Sequence, residues 1–125
     1  MIFGIGTDIV ETARIKQSLE KNEKFAPRIL TPFEISQFNA SNCPEAYLAK
    51  RFAAKEALVK AMGTGIGNGI SWQMCEVNNT ESGQPFFVVT GAINDLFQLN
   101  NLNCFLSISD EQTYACAMVV LEQKI

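Results

Sequence analysis

The sequence predicts an α+β fold, in which helices pack against an antiparallel sheet within one domain over residues 1–125. The length of 125 residues is close to that of one domain and is long enough to bury a core. Apolar residues make up 47% of the chain and charged residues 18%, which excludes disordered and collagen-like chains. Helical patterns fill most of the first half, and short turn-bounded strands dominate the second.

The first half is predicted to hold one strand followed by three helices. Thr31 and Glu34 form a capping box with Pro32 at the first helical position. Pro44–Met62 is the clearest helix, because it presents a wide apolar face and Gly63 suits its end. The predicted elements are a strand over residues 2–10, a helix over 11–24, a short helix from 31 and the helix Pro44–Met62.

The second half is predicted to be mainly antiparallel sheet. A glycine-rich loop over residues 63–69 leads into it. Alternating apolar residues and turn signals predict two successive strand pairs, separated by a short helix. The predicted elements are strands over 71–78 and 86–90, a helix over 92–99, and strands over 105–109 and 114–121.

Charge is distributed unevenly around a net value of −3. Residues 1–60 hold nine of the ten Lys and Arg residues against seven acids, whereas residues 61–125 hold only Lys124 against six acids. An acidic chain is not expected to bind nucleic acid in general. A basic first half still allows a local surface for an acidic partner or a phosphate ligand.

The absence of histidine excludes several classes of mechanism. Ser-His-Asp and Cys-His nucleophile systems, histidine-bound zinc and haem with a proximal histidine are all ruled out. The four cysteines form no C-x-x-C pair, so we expect reduced and mostly buried thiols in a cytoplasmic protein. No secretory signal is recognisable, and no apolar run reaches the ~18 residues that a membrane span needs.

Two carboxylates stand in apolar surroundings that make them candidates for chemistry. Asp8 interrupts an apolar strand, where it needs a partner or a metal; the alternative is a cap for the following helix. Glu56 lies in the most apolar helix, four residues before Lys60. The alternative for this pair is an ordinary solvent-exposed ion pair. The same helix also carries the basic residues Arg51, Lys55 and Lys60. One carboxylate surrounded by basic side chains is suited to binding a polyphosphate together with Mg²⁺.

The loop over residues 63–69 is not a dinucleotide-binding motif. Its glycines lack the G-x-G-x-x-G spacing, and it follows a helix instead of a strand. Such a loop can still let phosphates approach backbone N–H groups, and a plain helix-to-strand turn is an equally good interpretation.

Two sequence blocks resemble the signatures of the short-type 4′-phosphopantetheinyl transferases, the holo-[acyl-carrier-protein] synthases. They are Gly4-Ile-Gly-Thr-Asp-Ile-Val-Glu11 and Lys50-Arg-Phe-Ala-Ala-Lys-Glu-Ala57, with Lys60 and Gly63-Thr-Gly65 after the second. The resemblance continues through 81–85, 106–110 and 114–117, in the order of the family. It therefore covers nearly the whole chain and implies a single phosphopantetheinyl transferase domain over residues 1–125.

The resemblance implies transfer of 4′-phosphopantetheine from coenzyme A to a serine of acyl carrier protein, as in fatty acid biosynthesis. It implies that Asp8 and Glu56 bind Mg²⁺, and that Lys60 contacts the phosphates and assists proton transfer. It also implies a cytoplasmic homotrimer with active sites between subunits. The nucleotide site would be lined by Arg51, Lys60, Gly63, Thr64, Gly65 and Pro85. The carrier protein would dock on Arg14, Lys21, Lys24 and Arg28.

Two positions depart from the family pattern. Phe105 stands where the family commonly has a histidine, and Gln84 stands where a lysine is common. Phenylalanine can neither bind a phosphate through a hydrogen bond nor move a proton. A non-catalytic module that binds coenzyme A or a carrier protein is therefore an alternative, and a different Mg²⁺-dependent transferase is another.

Overall fold

Helices and antiparallel strands alternate along the chain, which confirms the predicted α+β class. The computed structural model describes residues 1–125. The elements in chain order are β1 (Ile2–Glu11), α1 (Thr12–Lys21), α2 (Phe25–Ile29), α3 (Pro32–Ala40), α4 (Pro44–Met62), a 3-10 turn (Trp72–Met74), β2 (Cys75–Asn79), β3 (Pro85–Val89), α5 (Gly91–Leu99), β4 (Leu102–Asp110) and β5 (Tyr114–Gln123).

The main sheet has three antiparallel strands in the order β1-β5-β4. Asp8 pairs with Ala117, which pairs in turn with Ile108, so these three residues form one row across the sheet. Strands β2 and β3 form a separate two-stranded hairpin. Because side chains alternate along a strand, every second residue of the main sheet faces α4 and the others face outward.

Helix α4 lies very close to β1, and two glycines make this approach possible. A Cβ atom at Gly4 would collide with the carbonyl oxygen of Ala61, and one at Gly6 would collide with that of Ala57. Alanines on α4 and glycines on β1 therefore bring the two backbones together. This contact fixes the position of the next inward-facing residue of β1, which is Asp8.

Helix α4 is the centre of both hydrophobic clusters. Its C-terminal half packs against the main sheet, the hairpin and α5, through residues such as Ala57, Leu58, Val119 and Leu121. Its N-terminal half packs against α1 and α2 through Leu48 and Ala49. Most sides of α4 are therefore covered by other elements, which agrees with its Ala-rich and largely apolar sequence.

The structure confirms two predicted helix boundaries. The Thr31 hydroxyl accepts the Glu34 N–H, and the Glu34 carboxylate accepts the Thr31 N–H, which completes the capping box of α3. Helix α4 begins at Pro44 and ends at Met62 as predicted. Gly63 closes it in the left-handed conformation, with φ of 78°.

The predicted helix over residues 11–24 is wrong in its extent. Helix α1 ends at Lys21, and a second short helix, α2, follows at Phe25–Ile29. The local pattern does not predict α2, because Pro27 resembles a helix breaker. Proline is tolerated within the first turn of a helix, where the missing N–H has no intrahelical acceptor.

The predicted strand over residues 71–78 begins too early. Residues Trp72–Met74 form a 3-10 turn, and the strand starts at Cys75. Trp72 stacks on Phe52 of α4, with ring centroids 5.3 Å apart, so packing replaces strand pairing here. Strands β4 and β5 are also longer than predicted, because the hydrophobic pattern does not reveal paired backbone at their outer ends.

The four cysteines are free, but only Cys75 is fully buried. Cys43 is exposed, and Cys104 and Cys116 are only partly buried, so the expectation of mostly buried thiols is wrong. Burial raises the pKa of the Cys75 and Cys104 thiols to about 12. No helix of the structure combines the length and apolar character that crossing a membrane requires.

We predict that Gly6→Ala destabilises the protein by about 3 kcal/mol, because the new methyl group meets backbone atoms of α4 that cannot move aside locally. Urea denaturation followed by circular dichroism measures the loss. Gly69→Ala is the control, since Gly69 has open space around it; unlike Gly6, it has a positive φ, of 91°. There we expect a loss of about 1 kcal/mol from backbone strain alone. Equal losses at the two sites would contradict the role of close packing.

Candidate active site

Asp8 and Lys60 form an ion pair between β1 and α4. The Lys60 Nζ donates to Asp8 Oδ1 at 3.0 Å and to the carbonyl oxygen of Thr7 at 3.1 Å. The side chain of Asp8 is mostly buried, whereas that of Lys60 is about half exposed, at 52%. The ammonium group can therefore contact a ligand from solvent while it holds Asp8.

Glu56 lies close enough to Asp8 and Lys60 for their charges to change the pKa of its carboxyl. Burial raises the pKa of the Glu56 carboxyl, the negative charge of Asp8 raises it further, and Lys60 lowers it in part. Two carboxylates that disfavour each other's charge gain from a bound cation between them. The structure thus brings Asp8, Glu56 and Lys60, the three predicted catalytic residues, into one cluster.

Neither structural alternative for these carboxylates agrees with the geometry. Residue Glu11, and not Asp8, occupies the N-cap of α1, and its side chain makes no capping hydrogen bond. The Asp8 side chain is bound to Lys60 instead. Lys60 makes its ion pair with Asp8 across the helix–strand contact and has none with Glu56 along the helix.

The cluster holds two carboxylates and no further protein ligand for a metal. No group of three or more His, Cys, Asp or Glu side chains suited to a metal ion occurs in the structure. Carboxylate oxygens are hard donors, and Mg²⁺ commonly takes one or two of them together with phosphate and water oxygens. The donor set therefore fits a divalent cation that is shared with a phosphate substrate.

Lys55 does not lie on the predicted phosphate-binding face. Its side chain is fully buried, and its Nζ donates to Glu34 Oε1 at 2.6 Å, to the Ile29 carbonyl at 2.7 Å and to the Trp72 carbonyl at 3.1 Å. The expectation that Lys55 adds charge near phosphates is therefore wrong. Sequence spacing could not reveal this, because nearly every side of α4 is covered.

The Lys55–Glu34 pair joins four elements around α4. The second oxygen of Glu34 accepts the backbone N–H of Val77 at 2.8 Å, so the carboxylate spans α3 and β2. Lys55 connects this pair to the end of α2 and to the 3-10 turn, because it donates to the carbonyls of Ile29 and Trp72. This buried network holds α4 against its neighbours at the turn that also carries Glu56.

Arg51 and Pro85 line a second feature, a cleft of about 180 Å³ between α4, the hairpin and β4. The Arg51 side chain lies over the ring of Tyr47, 4.5 Å from its centroid. Its Nη2 donates to Asn79 Oδ1 at 3.2 Å, while its buried Nε has no hydrogen-bond partner. The remaining lining residues are Lys50, Asn79, Gly83, Ile108 and Asp110.

The turn at Gly63, Thr64 and Gly65 does not line this cleft. Gly63 caps α4, and the N–H groups of Thr64 and Gly65 both donate to the Val59 carbonyl. The Thr64 hydroxyl donates to the Gly65 carbonyl. These contacts describe an ordered helix-terminating turn, one turn of α4 beyond Lys60. Its predicted part in nucleotide binding stays a prediction.

The predicted docking residues are all exposed, but they do not share one helix. Arg14 and Lys21 belong to α1, Lys24 lies in the turn after it, and Arg28 belongs to α2. The Arg14 side chain is 81% exposed, and its Nε is 3.9 Å from Glu11 Oε1. Arg14 also lines a surface cleft of about 220 Å³ beside Tyr114. The basic surface is therefore built from two helices and the turn between them.

Phe105 lies on the outer face of the main sheet, away from α4. Its register partner is Val120, which pairs with Ile5 of β1, and both Phe105 and Ile5 are exposed. Asp8 faces the opposite side of the sheet. Phe105 is therefore part of an apolar outer face. Other residues on this face include Thr7, Ile9, Cys116, Met118, Ser107 and Ser109, and the pairs Glu11–Tyr114 and Asn103–Glu122 lie at its two ends.

Comparison with known proteins decides the family. The family model of the 4′-phosphopantetheinyl transferase superfamily matches residues 4–119. The chain belongs to this superfamily. It is therefore a transferase, and the resemblance noted in its two sequence blocks is confirmed.

Relatives and solved structures match along the whole chain. The holo-[acyl-carrier-protein] synthase of Pseudoalteromonas atlantica is 50% identical over 122 residues, 97% of each protein. The crystal structure of that enzyme from Neisseria meningitidis has a TM-score of 0.92 and 43% identity, over 98% of this chain and 99% of its own. A Bacillus anthracis synthase in complex with CoA (3′,5′-ADP) has a TM-score of 0.84 and 39% identity, over 99% of both chains.

Sequence reasoning missed several residues around the site of this transferase. The sequence pattern predicts Glu34 only as a capping residue, and it does not single out Tyr47 or Asn79. The capping pattern is a local signal, whereas the second role of Glu34 depends on Lys55 and Val77, which are distant in sequence. Tyr47 offered one usable signal, since it lies four residues before Arg51 on a predicted helix and thus on the same face.

We predict that Lys55→Met destabilises the transferase by about 4 kcal/mol, because it leaves the Glu34 carboxylate buried without its partner. Lys60→Met is the matched control on the same helix. It breaks a partly exposed pair, so we expect a loss of at most about 1 kcal/mol. Chemical denaturation measures both. A Lys55→Met protein as stable as the control would contradict the structural role of the buried pair.

Proposed function

We propose that this chain transfers 4′-phosphopantetheine from coenzyme A to a serine of acyl carrier protein and releases adenosine 3′,5′-bisphosphate. The observation that carries the proposal is the meeting of Asp8, Glu56 and Lys60 at the β1–α4 contact. The holo-[acyl-carrier-protein] synthases that match along the whole chain support it. Phosphoryl transfer depends mainly on positioning and charge neutralisation, and this cluster can supply both.

Asp8 and Glu56 are proposed to hold Mg²⁺. When bound, the ion withdraws charge from the pyrophosphate of coenzyme A and makes a bound water more acidic. Asp8 is held ready for this role by the Lys60 ammonium, and Glu56 by its place on the rigid central helix. Because the cluster offers only these two carboxylates, metal binding would depend on further oxygens from the substrate, and the two binding events would be linked.

Lys60 and Arg51 are proposed to bind the substrate phosphates. Lys60 has one N–H left after its bonds to Asp8 and Thr7, and it reaches the solvent side of the cluster. The serine oxygen of the carrier protein then forms a bond to the phosphorus that bears the pantetheine. The bond from that phosphorus to the bridging oxygen breaks, and adenosine 3′,5′-bisphosphate leaves.

The serine proton must leave without help from an imidazole, since the chain has no histidine. A carboxylate of the cluster or a bound water is proposed to accept it, and Lys60 can assist the transfer. Phe105 is on the sheet face opposite Asp8, so it takes no part in this step within one chain.

Mass spectrometry of apo acyl carrier protein, incubated with the chain, coenzyme A and Mg²⁺, tests the proposal. A mass gain equal to phosphopantetheine on the serine supports it. Binding of either ligand without any mass gain would support the alternative of a non-catalytic binding module, which the replacement of the family histidine by Phe105 favours. A different mass gain would identify another transferase reaction.

We predict that Glu56→Gln lowers the transfer rate at least about a hundredfold, because it removes one charged metal ligand where charge develops during the reaction. The same mass assay measures it over a series of Mg²⁺ concentrations. Glu76→Gln is the control, since Glu76 is a partly buried carboxylate bound to Thr31, outside the cluster. Full activity of Glu56→Gln at every Mg²⁺ concentration would refute the ligand assignment.

The basic surface at Arg14, Lys21, Lys24 and Arg28 is proposed to dock the carrier protein. We predict that Arg14→Glu weakens binding of an acidic carrier protein about tenfold at low salt, and less at high salt, because steering charges are screened. Lys124→Glu makes the same charge change far along the chain and should have little effect. Calorimetric titration with carrier protein and with coenzyme A separates the two ligands. An equal loss of affinity for both would contradict the docking role.

The apolar outer face of the main sheet supports the proposal of a homotrimer. Ile5, Ile9, Phe105 and Met118 are exposed together on this face, and contiguous exposed apolar residues commonly mark an interface between proteins. We expect sedimentation equilibrium to give three times the monomer mass of 13.8 kDa. A Met118→Asp variant should shift the mass toward the monomer.

Residues 1–125 are proposed to act as one transferase domain in the cytoplasm, where the carrier protein of fatty acid biosynthesis is modified. The four free thiols are in keeping with a reducing compartment.

A further inference from the structure

We infer that Tyr47 and Asn79 are positioning residues, which hold the Arg51 guanidinium in the cleft beside Pro85 so that it binds the phosphates of coenzyme A. The inference rests on the proposed function, because that function places the nucleotide in this cleft. It adds two residues that neither contact the reacting atoms nor belong to the matching sequence blocks.

Tyr47 holds Arg51 from one side. The guanidinium carbon lies 4.5 Å from the centre of the Tyr47 ring, a distance suited to a cation–π contact. The ring itself is fixed from α3, because its hydroxyl donates to Gln37 Oε1 at 2.7 Å and it packs against Phe38 in an edge-to-face arrangement. Burial raises the pKa of Tyr47, so the hydroxyl remains a donor under neutral conditions.

Asn79 holds Arg51 from the hairpin. Its Oδ1 accepts Arg51 Nη2 at 3.2 Å, and its Nδ2 donates to the Gly83 carbonyl at 3.0 Å. One amide therefore connects the guanidinium of α4 to the turn that leads into Pro85. The two walls of the cleft are joined through this side chain.

The guanidinium is ordered but not saturated with hydrogen bonds. Arg51 is only 7% exposed, and its buried Nε–H has no acceptor. An anionic oxygen in the cleft can accept from the guanidinium N–H groups that Asn79 does not use. Lys50 adds a second positive charge on the same wall, whereas Asp110 places a carboxylate on the opposite one.

Because Tyr47 and Asn79 hold Arg51 in place before the substrate binds, they should affect the affinity for coenzyme A more than the rate of the chemical step. A free arginine side chain loses conformational entropy when it binds a phosphate, and a side chain that is already held loses less. Asp8, Glu56 and Lys60, which are proposed to act at the reacting phosphorus, do not line this cleft. Loss of the positioning contacts should therefore raise the KM for coenzyme A and leave kcat nearly unchanged.

The main experiment compares two substitutions of Tyr47 by calorimetric titration with coenzyme A and by transfer kinetics. Tyr47→Leu removes the ring, so we expect the dissociation constant and the KM to rise about tenfold with kcat within about twofold. Tyr47→Phe keeps the ring over Arg51 and should restore affinity to within about threefold of wild type. Phe52→Leu, which removes a neighbouring stacked ring of α4, controls for general loss of packing.

Asn79→Ala is tested in parallel, with Asn78→Ala as its control. Asn78 bonds Glu76 and does not contact Arg51, so only the Asn79 variant should lose affinity, by about threefold. In an Arg51→Ala background, neither Tyr47→Leu nor Asn79→Ala should weaken binding further, because their effect passes through Arg51.

The outcomes separate the inference from the proposed function. Normal coenzyme A binding without transfer would refute the transferase proposal, while the binding series would still decide the role of Tyr47 and Asn79. Unchanged affinity in Tyr47→Leu, equal losses in Phe52→Leu, or full losses in the Arg51→Ala background would each overturn the inference. Failure of the wild type to bind coenzyme A at all would overturn both.

Discussion

The close contact between β1 and α4 is the constraint on which the rest of the structure depends. Gly4 and Gly6 remove the side chains that would separate the strand from the helix, and Ala57 and Ala61 present only small groups to it. The strand is thereby held at a distance that lets the Lys60 ammonium reach Asp8. Distant parts of the sequence form one cluster only because these backbones meet, so packing and chemistry share the same cause.

A second interaction holds α4 in place from its other side. Lys55 and Glu34 form a fully buried pair, and each makes further hydrogen bonds to backbone groups of neighbouring elements. A buried pair is costly to desolvate and is retained where its geometry is well satisfied. Lys55 immediately precedes Glu56, so the same turn of the helix directs one charged side chain into the core and the next toward the site.

The charges of the first half serve three different purposes in the folded chain. Arg14, Lys21, Lys24 and Arg28 form an exposed surface. Arg51 lines the cleft beside Pro85, and Lys60 belongs to the cluster with Asp8. Lys55 is buried in the core. Composition identifies the excess of positive charge but cannot assign the individual residues to these three purposes. The division depends on which side of α4 each residue occupies and on what covers that side.

The sequence by itself determined the α+β class, the limits of α4, the capping box of α3 and the candidates Asp8, Glu56 and Lys60. These rest on local patterns and on motifs that neighbouring residues carry. Only the tertiary structure decided that Lys55 is buried, that Trp72–Met74 is a turn, and that Tyr47 and Asn79 meet Arg51. Each of these facts depends on contacts between distant segments, and no periodicity within one segment encodes them.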